Sequence, residues 1–235
     1  MRVAASLSVF LSIVLIALTP AARGQSSPTN AEAFDVVIIN GHIIDGTGSP
    51  WYSGQIGIRK GHIAAIGNLE SAKRAQTIDA KGMVVAPGFI DMLGQSEQSI
   101  LVDPRLPSKI YQGITTEVTG EGGSAAPLTA AMIAADKAAY DHLKITPDWS
   151  TFRQYFARLE KQGMGINLAS YVGDTSVRRA VLGDADVQPT AEQLKAMQAL
   201  VRQGMEDGAV GVSTSLQYAP APYAKTPELI NGMKV

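Results

Sequence analysis

Short apolar runs separated by glycine-containing turns fill the region from residue 34 to residue 86. The runs FDVVIIN and GHIIDG meet at Asn40-Gly41, a pair that predicts a hairpin turn. GQIGIRK and HIAAIG repeat this arrangement around Lys60-Gly61, since Ile56 and Ile58 alternate with small or polar residues. The pattern therefore predicts a small antiparallel β unit over residues 34–86.

From Pro87 onward, segments whose apolar residues have the spacing of a strand alternate with segments whose apolar residues have the spacing of a helix. The segments GFIDM, ITTEVTG, INLASYVG and AVGVSTSLQY read as buried strands. Two amphipathic helices are predicted among them, one capped by Ser150 and one opened by a capping box of Thr190 and Gln193. Repeated βα units favour a parallel sheet with helices outside, so the predicted class is α/β.

The first residues have the pattern of an export signal. Arg2 precedes an apolar stretch from Ala4 to Leu18, and small residues follow at Ala22 and Gly24. We therefore predict a signal peptide over residues 1–24, a flexible linker over 25–33, and a periplasmic or secreted location. The alternative is a membrane anchor, but the apolar stretch is short for a span of about 20 residues, so no stable anchor is expected.

The composition of the chain limits the partners and the kinds of reactive site that it can have. The net charge of -1 gives no electrostatic reason to expect nucleic acid as a partner. The chain has no cysteine, which excludes disulfides, thiolate zinc sites and cysteine nucleophiles. Its three histidines, His42, His62 and His142, are not placed with each other at metal-ligand spacing.

Several segments together resemble the opening half of the amidohydrolase superfamily, and most closely its D-aminoacylase, or N-acyl-D-amino-acid deacylase, branch. They are VIINGHIIDGTGSP, GQIGIRKGHIAAIG, TIDAKGMVVAPGFID, GITTEVTGEGGSAAP and GAVGVSTSLQYAPAPYAKTPELI. The resemblance implies that residues 34–86 are the N-terminal part of a composite β-sandwich. It also implies that residues 87–235 are an incomplete (β/α)8 TIM-type barrel of about four βα units, because a closed barrel takes about 250 residues.

The resemblance also implies a metal centre, yet its first ligand positions are occupied by other residues. The family's first strand ends in GFIDxHxH, and the two histidine positions are Leu93 and Gln95 here. The family's cysteine ligand after the second strand corresponds to Gly122, while Glu121 beside it could bind zinc through oxygen or be a solvated loop residue. We expect a divalent metal, zinc by ligand type, in the full-length form, and too few ligands in this chain to hold it.

Four further residues are candidates for the site. Asp91 is interpreted as orienting the site, or as capping the turn after its strand. Gln95 and Tyr218 could contact substrate, although a solvated loop and ordinary packing are the alternatives. Arg178 could clamp a substrate carboxylate, or form an ion pair on a helix surface. We expect Asp91, Glu121, Asp174 and Tyr218 to converge at one edge of the sheet.

The resemblance implies a hydrolase acting on carbon–nitrogen bonds other than peptide bonds, by metal-assisted hydrolysis in the full-length form. Its partner would be a small acyl-amino-acid or amide substrate, and the 235-residue chain is expected to be inactive and to self-associate through an exposed barrel edge. The first alternative is a non-catalytic binding protein on the same scaffold. The second is a cyclic amidase with relocated metal ligands.

Overall fold

A computed structural model describes residues 32–232 and residue 234. The predicted signal peptide (1–24) and most of the predicted linker (25–33) lie outside the described residues. The chain divides into two compact units after Val85. None of the helices in the described ranges combines the length and the apolar character that a membrane span requires.

The first unit is one five-stranded sheet. Its strands are β1 (Phe34–Ile43), β2 (Tyr52–Arg59), β3 (His62–Gly67), β4 (Arg74–Asp79) and β5 (Val84–Val85). The order is β3-β2-β1-β4, and β5 also pairs with β1. Because β4 and β5 run parallel to β1, the expectation of an entirely antiparallel unit was wrong.

The two turn predictions in this sheet had different outcomes. Lys60 and Gly61 have φ angles of 51° and 76° and join β2 to its antiparallel neighbour β3, which confirms that hairpin. Asn40 also has a positive φ of 56°, but β1 continues through it with a register shift between Ile38 and Gly41. The predicted hairpin at Asn40-Gly41 is therefore a bulge inside one strand, because the residues beyond it still pair with β2 and β5.

The second unit is built on short parallel strands. These are β6 (Phe89–Asp91), β7 (Ile114–Thr119), β8 (Asn167–Ser170), β9 (Val172–Gly173) and β10 (Val212–Ser213). The sheet order is β6-β7-β8, and β9 pairs with β10. Tyr171 alone separates β8 from β9, and its N–H donates to the Thr119 carbonyl at 2.9 Å, so the predicted third strand is interrupted at one residue.

Helices connect these strands. They are α1 (Ser99–Val102), α2 (Pro107–Ile110), α3 (Ala130–Ala135), α4 (Lys137–Leu143), α5 (Phe152–Gln162), α6 (Asp174–Leu182), α7 (Ala191–Glu206) and α8 (Thr226–Gly232), with a 3-10 helix over Ala221–Tyr223. The predicted capping box of Thr190 and Gln193 opens α7. At α5 the cap is Thr151 and not Ser150, because Thr151 pairs with Gln154 in a capping box of its own.

Two apolar clusters form the core of the second unit. Tyr155 and Leu159 of α5 pack with Ile100 and Trp149 in the first cluster. Phe152, on the same helix, packs with Val172 of β9 and with residues of α6 and α7 in the second. Helix α5 thus contributes side chains to both clusters.

Candidate functional site

The turn formed by residues 120–124 follows β7 and is held by neighbouring segments. The Ser213 hydroxyl, in β10, accepts a hydrogen bond from the Gly122 N–H at 3.0 Å. The same hydroxyl donates a hydrogen bond to the Gly120 carbonyl. The Thr175 N–H, near the start of α6, donates to the Gly122 carbonyl at 2.9 Å. The carboxyl ends of β7, β9 and β10 are therefore joined through the backbone of this turn.

Glycine is required at two positions of the turn. Gly120 and Gly122 have φ angles of 92° and 68°, which residues with a Cβ rarely adopt. A Cβ at Gly122 would also lie 2.7 Å from the Cβ of Ser215, and one at Gly120 would lie 2.4 Å from the Tyr171 carbonyl oxygen. Any larger side chain at Gly122 would displace Ser215, so the turn leaves no room there for a ligating side chain.

A cavity of about 460 Å³ lies beside the turn, a volume typical of small-molecule sites. Its polar wall includes Gln95, Glu97, Glu121, Asp136 and Arg179. Its apolar wall includes Leu128, Met132, Tyr140, Leu143 and Trp149. We call it the rim cavity.

Glu97 is fixed in the wall of the rim cavity by its neighbours. The Gly120 N–H donates to Glu97 Oε1 at 2.9 Å, and the Tyr155 hydroxyl donates to the Glu97 carbonyl at the same distance. The side chain is half-buried, and this burial raises the pKa of the Glu97 carboxyl above its usual value of 4.5. A carboxyl of this kind, beside a cavity, is a candidate for binding or proton transfer.

A charge network centred on the buried Glu117 contacts the loop that follows β6. Lys109 Nζ lies 2.6 Å from Asp91 Oδ2 and 3.3 Å from Glu117 Oε1. Glu117 is fully buried, and its Oε1 accepts the Ser96 N–H at 3.2 Å. The hydrogen bond from Lys109 is the main reason that the pKa of Asp91 is lowered. The network therefore fixes the segment that carries Gln95 and Glu97.

A second buried group of charges joins α6 to α8. Arg178 is fully buried, and its Nη1 contacts both carboxylate oxygens of Glu228 at 2.6 and 2.7 Å. Asp174, the first residue of α6, is 5% exposed, and its Oδ2 has no hydrogen-bond partner within the part of the chain that the structure describes. Burial, and secondly the charge of Glu228, raise the pKa of Asp174 to about 6.

The sequence of the chain is similar to those of known proteins. Residues 20–89 match the model of the urease alpha-subunit N-terminal domain. Over 204 residues the chain is 40% identical to N-acyl-D-glutamate deacylase of Alcaligenes xylosoxydans xylosoxydans, a match over 84% of this chain and 40% of the relative. D-aminoacylase of the same organism is 36% identical, over 87% of this chain and 42% of the relative.

Solved structures agree with the sequence relatives. A D-aminoacylase studied for its binuclear metal centre superposes with a TM-score of 0.76 at 35% identity, over 85% of this chain and 42% of that one. In sequence and in fold the chain is similar to the D-aminoacylase branch of the amidohydrolases. It spans about 40% of the length of the curated relatives it matches.

A third match concerns a ligand-bound member of the branch. N-acyl-D-glutamate deacylase of Bordetella bronchiseptica, complexed with zinc and a phosphonate that mimics the tetrahedral intermediate, superposes with a TM-score of 0.75 at 39% identity. This match covers 85% of the present chain and 42% of the other. The mixed α/β fold is therefore that of the D-aminoacylase structures.

The described residues do not fit a metal centre. Residues 32–232 contain no group of three or more His, Asp or Glu side chains placed to hold a metal ion. Leu93 is 59% exposed and has no ligating atom. Glu121 stands in the wall of the rim cavity and not within such a group, so its role as a metal ligand stays a prediction.

The other predicted site residues fall into different environments. Gln95 is exposed and lines the rim cavity. Asp91 accepts the Leu93 N–H at 3.1 Å, which is the turn-capping contact, and also binds Lys109. Tyr218 is 62% exposed, lies beyond β10 and does not line the rim cavity. Asp91, Glu121 and Asp174 each lie at or just after the carboxyl end of a parallel strand.

The structure places Arg178 where a substrate clamp is not expected. Its guanidinium is fully buried, and Glu228 and the Val187 carbonyl occupy it. The ion-pair alternative describes this contact better, although the pair is internal and not on the helix surface. The neighbouring Arg179 is the arginine that reaches the rim cavity.

Three charged residues near the site were missed from the sequence or interpreted differently. Glu97 lies two residues after Gln95, for which a solvated loop was one interpretation, yet Glu97 is half-buried and hydrogen-bonded to Gly120. Glu117 lies within the predicted strand ITTEVTG. A charged residue inside a buried strand is unusual, and this feature of the sequence could have identified it. Nothing in the sequence indicated a role for Lys109, because only the folded structure brings it into contact with Asp91.

Proposed function

We propose that this chain forms the first part of an amidohydrolase that cleaves a C–N amide bond other than a peptide bond. The supporting observation is the 40% identity to an N-acyl-D-glutamate deacylase over 84% of the chain, together with the D-aminoacylase fold. The substrate class proposed from these relatives is the N-acyl-D-amino acids.

We propose further that residues 87–235 are the first four βα units of a (β/α)8 TIM-type barrel and that residues 34–86 are part of a β-sandwich. The parallel pairings β6-β7-β8 and β9-β10, with helices following β6, β7, β9 and β10, support the first assignment. The active site would lie at the carboxyl ends of these strands, where the turn of residues 120–124 and the rim cavity are found.

Zinc in the full-length protein is a proposal taken from the zinc-containing relative. Because residues 32–232 supply no ligand set, we assign no step of the reaction to a metal held by them. What these residues contribute to hydrolysis is the shape of the cavity and the placing of polar groups beside it.

The experiment is to read the gene beyond codon 235 and to assay both products. A continuation with histidines at the ends of the next two strands, and an aspartate near its end, would support the hydrolase. The longer product should then release free amino acid from N-acetyl-D-amino acids. The 235-residue chain should release none, and measurable hydrolysis by it would overturn the expectation that it is inactive.

A second candidate is a binding protein without catalysis. Leu93 and Gln95 stand at the family's histidine positions, and the close approach of Ser215 leaves no room for a ligand at Gly122. This protein would bind an N-acyl-amino acid in calorimetry and leave it intact. Slow turnover of the same compound by the longer product would exclude this candidate.

We also propose export to the periplasm or the medium, with cleavage after Gly24. Expression of the chain with its own N-terminus, followed by N-terminal sequencing of the extracellular or periplasmic product, tests this. A product that begins at Met1 would contradict it.

A further inference from the structure

Helix α8 buries a charged side chain and fully buries no large apolar one. Its buried residues are Glu228 and Gly232, while Ile230 is 53% exposed. Gln198, on α7, donates its side-chain N–H to the Asn231 carbonyl at 2.6 Å. A helix with so few buried apolar contacts belongs to the parts of a fold that open locally, so its buried polar contacts decide how often it opens.

The buried carboxylate of α8 meets a group in which acidic side chains outnumber basic ones. Arg178 Nη1 contacts both carboxylate oxygens of Glu228 at 2.6 and 2.7 Å. Asp174 lies four residues before Arg178 on α6, a spacing that places both side chains on one face of the helix. Within the described ranges, Arg178 Nε and Asp174 Oδ2 are both buried and lack a hydrogen-bond partner. One arginine therefore lies between two buried carboxyl groups and is hydrogen-bonded to only one of them.

The charges that act on Asp174 within the described residues are those of Glu228 and Arg178. Strand β9, helix α3 and the 3-10 helix also contact α6, and they contain no carboxylate, amine or guanidinium group. Arg179, the neighbouring arginine, is paired with Asp136. The charged residues of α7 and of the segment before α8 are exposed: Glu192, Lys195, Arg202, Glu206 and Lys225.

The balance of charge in this group changes with pH. Burial first, and the charge of Glu228 second, raise the pKa of Asp174 from 3.8 to about 6. Opening of α8 removes Glu228 and admits water, so the pKa of Asp174 then falls toward its ordinary value. The contribution that favours the docked helix is therefore complete below about pH 4 and is lost as the pH rises through about 6. The ionised Asp174 also competes with Glu228 for Arg178.

We propose that Asp174, Arg178 and Glu228 form a pH-sensitive latch, in which α8 stays docked in mild acid and opens more often near neutral pH. The Thr175 N–H, next to Asp174, donates to the Gly122 carbonyl at 2.9 Å, so the latch lies beside the turn of residues 120–124. This proposal does not depend on the proposed hydrolysis.

Hydrogen exchange of the 235-residue chain tests the latch, with mass spectrometry at about pH 4, 6 and 7.5 and correction for the intrinsic exchange rates. In the unaltered chain, the protection factor of α8 should fall by about 10-fold to 100-fold over this range, as for a pKa difference of about two units. Helix α5 should be better protected than α8 at each pH, because its side chains belong to both apolar clusters. Equal protection of α5 and α8, or no change in α8 with pH, would overturn the proposal.

Variants locate the effect. Asp174→Asn removes the titrating group at nearly constant shape, so α8 should keep its acid-state protection at about pH 7.5. Asp186→Asn changes an exposed aspartate and is the matched control, which should keep the full pH dependence. Glu228→Gln retains an oxygen that can accept from Arg178 but removes the like charge, so it should reduce the pH dependence; it also provides the test if Asp174→Asn does not fold. An unreduced pH dependence in either latch variant, or its loss in Asp186→Asn, would refute the assignment.

Discussion

At the scale of single residues, Asp174 combines burial with incomplete hydrogen bonding. Its carboxyl group is at the start of α6, where the helix N-terminus would favour a negative charge. Burial and the nearby Glu228 outweigh this effect and raise its pKa to about 6. The protonated form is therefore favoured in the folded protein over a pH range in which an exposed aspartate is ionised.

This shift makes stability depend on pH in a definite direction. Because the folded-state pKa lies above the ordinary 3.8, the stabilising contribution is complete below about pH 4 and is lost as the pH rises through about 6. Asp174→Asn removes the loss and should raise the free energy of unfolding at about pH 8 by about 2 to 3 kcal/mol. Urea unfolding at about pH 4 and pH 8 measures it. Asp186→Asn, at an exposed position, should show no such gain.

Gly94 illustrates a steric requirement of the buried network. A Cβ at this position would lie 1.9 Å from Cγ of Glu117, which is fully buried and cannot move into solvent without leaving Lys109. Gly94→Ala should therefore reduce the free energy of unfolding by about 1 to 3 kcal/mol. Gly123→Ala is the control, since a Cβ there meets nothing within 4 Å. Equal stability of the two variants in urea unfolding would contradict this reading of the network.

At the scale of elements, features set by neighbouring residues were predictable from the sequence, and features set by contacts between distant segments were not. The capping box of α7 and the Lys60-Gly61 hairpin depend on adjacent residues, and both are confirmed. The prediction of a hairpin at Asn40-Gly41 was wrong, because β1 continues past these residues. Its later residues pair with β5, which lies far along the chain. Lys109 and Glu117 were missed for the same reason, because their contact is created by the packing of α2 against β7.

The ion pair between α6 and α8 is an element-scale contact of this kind. Arg178→Leu would leave the Glu228 carboxylate, itself 4% exposed, without its main partner. We expect a loss of about 3 to 5 kcal/mol in the free energy of unfolding, as for other buried pairs broken on one side. The double variant Arg178→Leu, Glu228→Leu should recover much of this loss. A single-variant cost below about 1 kcal/mol, or no recovery in the double variant, would mean that the pair does not fasten α8.

At the scale of the whole molecule, exposed apolar surface is the notable property. Strand β6 is an edge of its three-stranded sheet. Phe89, Ile90, Met92 and Leu93, in or just after it, are each between 59% and 61% exposed. An apolar edge strand offers both unpaired backbone groups and apolar side chains to another chain. We therefore predict that the self-association expected from the sequence would use this edge.

Sedimentation velocity over a range of protein concentrations tests that location. The 235-residue chain should show association that increases with concentration, and Ile90→Lys should weaken it by at least about fivefold, because a lysine on an edge strand must be desolvated when a second chain pairs there. Val210→Lys, which changes a single side chain that is 56% exposed, is the matched control and should associate as the unaltered chain does. If the unaltered chain stays monomeric at all concentrations, or if both lysine variants behave alike, β6 is not the contact surface, and the exposed side chains at this edge have no role in assembly.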